Sequence, residues 1–283
     1  MNIVSKDVNY AVEITGNGDP LVLLHGFTGN RDTWKFLIPL LSDRYTLIMV
    51  DIIGHGMSAS PADHRRYEME RVAEDIKYIL DVLHFPKAHI LGYSMGGRLG
   101  LGFACLFPEY VDTLILESAS PGLLTEGERE IRRENDRKLA ERILENGMEA
   151  FVLQWENIPL FESQKRLSAK TRSAIREQRL ANDSTGLSNS LLGMGTGNQA
   201  SYWEQLQTLD FPVLLVTGEL DRKFCRIADS MKKKLKRAEW KIINDAGHAI
   251  HVEVGEKFGK IISEFLKRNK RRNYDDDSMG NNT

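Results

Sequence analysis

Two hydrophobic rhythms alternate along the chain. LVLLHG (21–26), YTLIMVDIIG (45–54), KAHILGYS (87–94), VDTLILES (111–118) and FPVLLVTGE (211–219) are apolar at nearly every position and read as buried strands. VNYAVEI (8–14) and EWKIINDAG (239–247) are strand-like runs near the two ends. Between them, DTWKFLIPLL (32–41), residues 67–83 and MGGRLGLGFACLF (95–107) place apolar residues at helical spacing. Pro86 and Pro108 close the latter two helices. A basic helix near 226–237 and a final helix running to about 267 complete the pattern. Strands separated by helices predict an α/β fold, a mostly parallel sheet covered by helices on both faces.

The alternation breaks at about Pro121. From there to about Leu206 the pattern is helical and charged, without a convincing strand. The expected organisation is a core made of 1–120 and 207–267, interrupted by a helical cap at 121–206 before the last two strands. Residues 268–283 carry a basic block, an acidic block and then polar residues, and read as a disordered tail.

Composition narrows the function by exclusion. The 283 residues carry a net charge of -2, which gives no reason to expect nucleic acid as a partner. No apolar run approaches the ~18–20 residues needed to cross a bilayer. The N-terminus, MNIVSKDVNYAVEI, lacks a signal-peptide pattern, so a cytoplasmic protein without a membrane anchor is expected. Cys105 and Cys225 make no disulfide framework and read as inert thiols. No His/Cys/Asp cluster has metal-ligand spacing, so neither metal nor cofactor is expected.

The chemistry concentrates at Gly92-Tyr93-Ser94-Met95-Gly96. A serine on a strained strand-to-helix turn needs small residues two positions to either side, and this stretch follows a strand and opens a helix. A serine hydroxyl needs a neighbouring base. Elbow folds order serine, acid and histidine along the chain. Of seven histidines, only His248 and His251 follow the next-to-last strand. His248, in the loop after the last strand, is the better base, whereas His251 starts a helix. In GELDRKF, Asp221 lies further into its loop than Glu219 and is the expected acid; Asp245 is close to His248 only in sequence. Two N–H groups must face a developing oxyanion. Met95 supplies one and Phe27, after LVLLHG, the other, with His25 shaping that loop.

Taken together, LVLLHGF, DIIGHGMSAS, GYSMGGR, GELDRKF and NDAGH resemble the α/β-hydrolase superfamily over residues 8–267. The fold alone hosts esterases, C–C hydrolases, dehalogenases, lyases and some non-catalytic receptors. GYSMGGR, SPGL followed by EREIRREND, FVLQWENIPLF and GMGTGNQ are further similar to the pyruvate-eliminating synthases of menaquinone biosynthesis. That resemblance implies a cofactor-free lyase whose triad removes a proton from a substrate with three carboxylates. The alternative is a serine hydrolase acting on a small carboxylate-bearing substrate.

Arg98 lies one turn beyond Ser94 in a helix otherwise rich in glycine, alanine and leucine. A buried arginine needs a partner, either a protein carboxylate or a ligand's. The resemblance favours the ligand. It also implies substrate contacts for Tyr93, for Arg132 or its neighbour Arg133, for Trp155, and for Arg179 or Arg176. The cap is not basic in bulk, with twelve Arg and Lys against eleven Asp and Glu over 121–182.

Overall fold

A computed structural model describes the backbone of residues 1–279 and the side chains of residues 1–269. Eight strands form one sheet: β1 (Asn2–Ser5), β2 (Val8–Thr15), β3 (Asp19–Leu24), β4 (Tyr45–Val50), β5 (Ala88–Tyr93), β6 (Val111–Glu117), β7 (Val213–Gly218) and β8 (Ala238–Ile243). Their spatial order is β1-β2-β4-β3-β5-β6-β7-β8. From β4 to β8 every neighbouring pair is parallel, while β2 runs antiparallel to both β1 and β4. β5 and β7, buried at every position, explain why these strands read as unbroken apolar runs.

The helices are α1 (Ile38–Leu41), α2 (Met69–Val82), α3 (Met95–Leu106), α4 (Glu126–Trp155), α5 (Ala169–Leu180), α6 (Ser184–Met194), α7 (Arg222–Lys234), α8 (Ile250–Glu253) and α9 (Gly255–Met279). Each face of the sheet carries its own apolar cluster. One packs Val72, Ile76, Leu99 and Phe103 of α2 and α3, and the other packs Trp34, Leu37, Phe258 and Ile262.

Three local expectations need correction. β1 pairs with β2 through the tight turn Lys6-Asp7, with Lys6 at φ 54°, and it escaped notice because four residues carry too little periodicity. DTWKFLIPLL is a 3₁₀ segment, Arg31–Leu37, followed by α1; Pro39 has no N–H with which to continue an α-helical ladder. The basic helix begins at Arg222 rather than near 226, because Asp221 caps it by accepting from the Phe224 amide at 3.2 Å.

Between β6 and β7 the described residues form helices and no strand. α4 breaks at Gly147, where φ is 77°. Ala140, Ile143, Phe151 and Val152 of α4 make a small core with Leu187 and Leu191 of α6. Polar bonds tie this region to the loops at the strand ends: Asn182 Nδ2 donates to the Thr28 carbonyl at 2.9 Å, and Asn189 Nδ2 to that of Pro61 at 3.0 Å. α9 continues past the expected end near 267 into the stretch 268–283 expected to be a disordered tail, and the side chains from 270 onward lie outside the described residues. Among the described residues no helix is long and apolar enough to cross a membrane.

Candidate active site

β5 ends at Tyr93 and α3 starts at Met95, leaving Ser94 alone on the turn with φ 50° and ψ -107°. Two glycines permit this close approach. A Cβ on Gly92 would lie 2.3 Å from the Gly96 carbonyl oxygen, and one on Gly96 would lie 2.2 Å from that of Leu24. The Ser94 amide donates to the Glu117 carbonyl at 2.9 Å, holding the turn against β6.

The loops after β7 and β8 bring Asp221 and His248 to this serine. His248 Nε2 lies 3.0 Å from Ser94 Oγ, and Nδ1 lies 2.6 Å from Asp221 Oδ2. His248 is 2% exposed and Asp221 8%. An acidic partner at Nδ1 places the ring proton there and leaves Nε2 free to accept from the serine. The rings of Phe224 and Tyr93, with centroids 4.7 and 5.4 Å from that of His248, restrict its tilt. Glu219 instead accepts from the Asp245 amide at 3.2 Å. His251 is buried and turned away; its Nδ1 and its amide both bond the Glu117 carboxylate.

Phe27 and Met95 line one cavity with Ser94 and His248. His25 governs the Phe27 loop. Its Nε2 accepts from the Ile52 amide at 3.0 Å, so its proton sits on Nδ1 and is donated to the Gly26 carbonyl at 2.8 Å. In a trans peptide the N–H lies on the opposite edge, so the Phe27 amide faces away from the His25 ring. Burial pushes His25 down to about 4, and burial together with His25 pushes its neighbour His55 down to about 3.

The cavity measures about 620 Å³ and also receives Tyr93, Arg98, Arg132 and Trp155. Burial, reinforced by the Glu117 charge, raises the Tyr93 phenol well above its usual range. Trp155 meets Phe27 edge-on at 5.4 Å and stacks on Phe151 at 5.6 Å. Arg98 Nη1 donates to the Met194 carbonyl at 2.8 Å and to Gln199 Oε1 at 2.7 Å, and among the described residues no carboxylate bonds it. Burial, with the nearby Arg132 charge, pushes its guanidinium down to about 10. Arg132 Nε donates to Asp136 at 2.8 Å. Arg133 turns instead to the Gly197 carbonyl and Glu126.

Arg179 is not brought to this cavity's lining. It is buried, lies 4.7 Å over the Phe161 ring, and donates to Gln164 at 3.3 Å. It lines a second cavity of about 310 Å³ with Arg176, which pairs with Glu156 at 2.5 Å. Phe161 lines both cavities. Sequence reasoning missed Lys223, Arg226 and Lys234, which line the larger cavity from α7. The available signal was a cationic helix face starting directly after the expected acid.

Fold and site together define a class. The family described as alpha/beta hydrolase fold matches residues 19–253, and the chain belongs to it. Within that family the chain is 49% identical over 265 residues to a Bacillus subtilis (strain 168) protein provisionally described as a 2-succinyl-6-hydroxy-2,4-cyclohexadiene-1-carboxylate synthase, covering 93% of this chain and 96% of that one. It is 33% identical over 242 residues to a Klebsiella pneumoniae (strain 342) protein described without qualification as that synthase, covering 85% of this chain and 91% of that one. The solved structure of MenH from S. aureus superposes with a TM-score of 0.88 at 34% identity, covering 92% of this chain and 98% of that one.

Proposed function

We propose that this protein is a lyase of menaquinone biosynthesis. It eliminates pyruvate from 2-succinyl-5-enolpyruvyl-6-hydroxy-3-cyclohexene-1-carboxylate to give 2-succinyl-6-hydroxy-2,4-cyclohexadiene-1-carboxylate. The relatives described as synthases of that product support the reading. The observation that carries it is Arg98, a half-buried guanidinium one turn from Ser94 whose bonded partners are a carbonyl and an amide oxygen. Such a group awaits an anion, because guanidinium binds carboxylate through paired N–H donors.

In this reading His248, oriented by Asp221, takes the Ser94 proton. Ser94 removes a proton alpha to the succinyl carbonyl. The Phe27 and Met95 amides stabilise the enolate-like oxygen that develops. The electron pair moves through the ring and breaks the C–O bond to the enolpyruvyl group. Pyruvate leaves as its enolate and is protonated. Ser94 acts as a base relay, and no acyl-enzyme forms. Arg98 and Arg132 hold substrate carboxylates, Tyr93 and Trp155 flank the ring, and Arg179 joins them only if Phe161 shifts. The chain is then a core, 1–120 and 207–267, with a cap at 121–206 closing over the serine.

The same three residues could perform ester hydrolysis, and Arg98 separates the two chemistries. In Arg98→Ala, turnover of the anionic intermediate should fall by about 10²-fold or more, the scale of losing a buried charge-assisted pair. Hydrolysis of a neutral p-nitrophenyl ester, if present, should change little. Equal losses on both substrates would return Arg98 to a structural role.

A further inference from the structure

One face of α7 forms part of the wall of the cavity that holds Ser94. Lys223, Phe224, Arg226, Ile227, Ser230 and Lys234 line it, at the three- and four-residue spacings of a single helix face. This face is fixed to the serine's partners, since Asp221 caps the helix and the Phe224 ring lies 4.7 Å from that of His248. Lys234 pairs with Glu204 at 2.9 Å. Lys223, whose Nζ lies 5.6 Å over the Phe224 ring, and Arg226 make no ion pair among the described residues. The cavity lining contains one carboxylate, Glu128, against Arg98, Arg132, Lys223, Arg226 and Lys234 among the described residues. Its cations come from two groups of elements, α3 with α4 and, separately, α7. A ligand that satisfies both carries negative charge at two separated points.

We infer that Lys223 and Arg226 form a second carboxylate-binding wall. It receives a different substrate carboxylate from the one held by Arg98 and Arg132, and it draws the polyanion into the cavity. The inference rests on the proposed polyanionic substrate and adds to it a subsite on α7. Lys223 and Arg226 are exposed, whereas Arg98 is half-buried. Exposed charges are screened by salt, over about 8 Å at 0.15 M ionic strength, and partly buried ones much less. Ionic strength therefore distinguishes the two walls.

The test is pyruvate release by the full chain from the product of the preceding pathway enzyme, at ionic strengths of about 0.02 and about 0.5 M. Lys223→Gln/Arg226→Gln is compared with Lys232→Gln/Lys257→Gln, which removes the same charge from two exposed positions outside the cavity. The α7 pair should lower kcat/KM about tenfold or more at low salt, mainly through KM. That deficit should shrink severalfold at high salt, while the control pair tracks the wild type. The loss in Arg98→Ala should persist at high salt. Wild-type KM and salt slope in the α7 variant, beside an active wild type, would overturn the subsite alone. An inactive wild type would overturn the lyase reading and the subsite with it. Lys223→Glu/Arg226→Glu should deepen the low-salt deficit; an unchanged KM there also contradicts the subsite.

Discussion

Asp221 serves two structures at once. Its Oδ1 caps α7 at the Phe224 amide, and its Oδ2 holds His248 Nδ1 at 2.6 Å. Asparagine caps a helix about as well as aspartate, but its amide cannot stabilise an imidazolium and favours the wrong tautomer. Asp221→Asn should therefore leave the melting temperature nearly unchanged while kcat falls about 10⁴-fold, by analogy with the same change in serine proteases. Asp221→Ala should lose the activity and also about 1 kcal/mol of stability from the cap, which chemical denaturation would reveal. That Ser94, Asp221 and His248 lie within hydrogen-bonding distance in series was legible because glycine spacing and chain order constrain where they meet. The arginines were less legible. A guanidinium sits at the end of a long flexible stem, so its destination depends on tertiary neighbours that spacing does not encode. Arg132 reaches the cavity while adjacent Arg133 turns to Glu126, and Arg179 stands over Phe161.

Buried ion pairs join elements that sequence periodicity treats as separate. Asp75 of α2 is fully buried and accepts from Ser5 Oγ of β1 and Tyr10 OH of β2, each at 2.6 Å. Arg66 closes the group with two bonds to the same carboxylate, at 2.7 and 2.9 Å. This cluster clamps the β1–β2 hairpin to α2. Removing one partner leaves a buried charge uncompensated, so Arg66→Met should cost about 3–5 kcal/mol, read from the urea midpoint. The outer partner, Asp7, is exposed, and Asp7→Asn should cost less than about 1 kcal/mol. The hairpin's inner strand was legible from VNYAVEI, but its outer strand was not. What secures β1 is a set of contacts with residues some 60–70 positions away, beyond any local pattern. α7 failed differently: its basic face was visible in the sequence, yet only the packing of Phe224 on His248 turns that face toward the site.

At the scale of the molecule, the parallel sheet and its late helical interruption followed from alternating apolar runs, because strands buried on both faces leave an unmistakable composition. The fold also stores a pH dependence. His25 and His55 are both buried and held neutral, pushed down to about 4 and about 3, whereas unfolded histidine titrates near 6.5. Above pH ~6.5 both states are neutral and the fold keeps its full stability. Between that pH and about 4 the unfolded chain binds protons that the fold refuses, so stability falls as pH falls. Unfolding free energies from urea titrations should decline from pH 7 to 4.5, and His55→Phe should flatten the decline. A wild-type stability independent of pH over that window would contradict the neutral buried pair. The central claim, elimination rather than acyl transfer, is tested most directly by pyruvate release. Purified protein would be given the product of the preceding pathway enzyme, beside Ser94→Ala and a panel of neutral p-nitrophenyl esters. The account predicts Ser94-dependent pyruvate release, negligible ester turnover and no mass adduct on Ser94. Brisk ester hydrolysis through an acyl-Ser94, with no pyruvate formed, would contradict it and leave a serine hydrolase in its place.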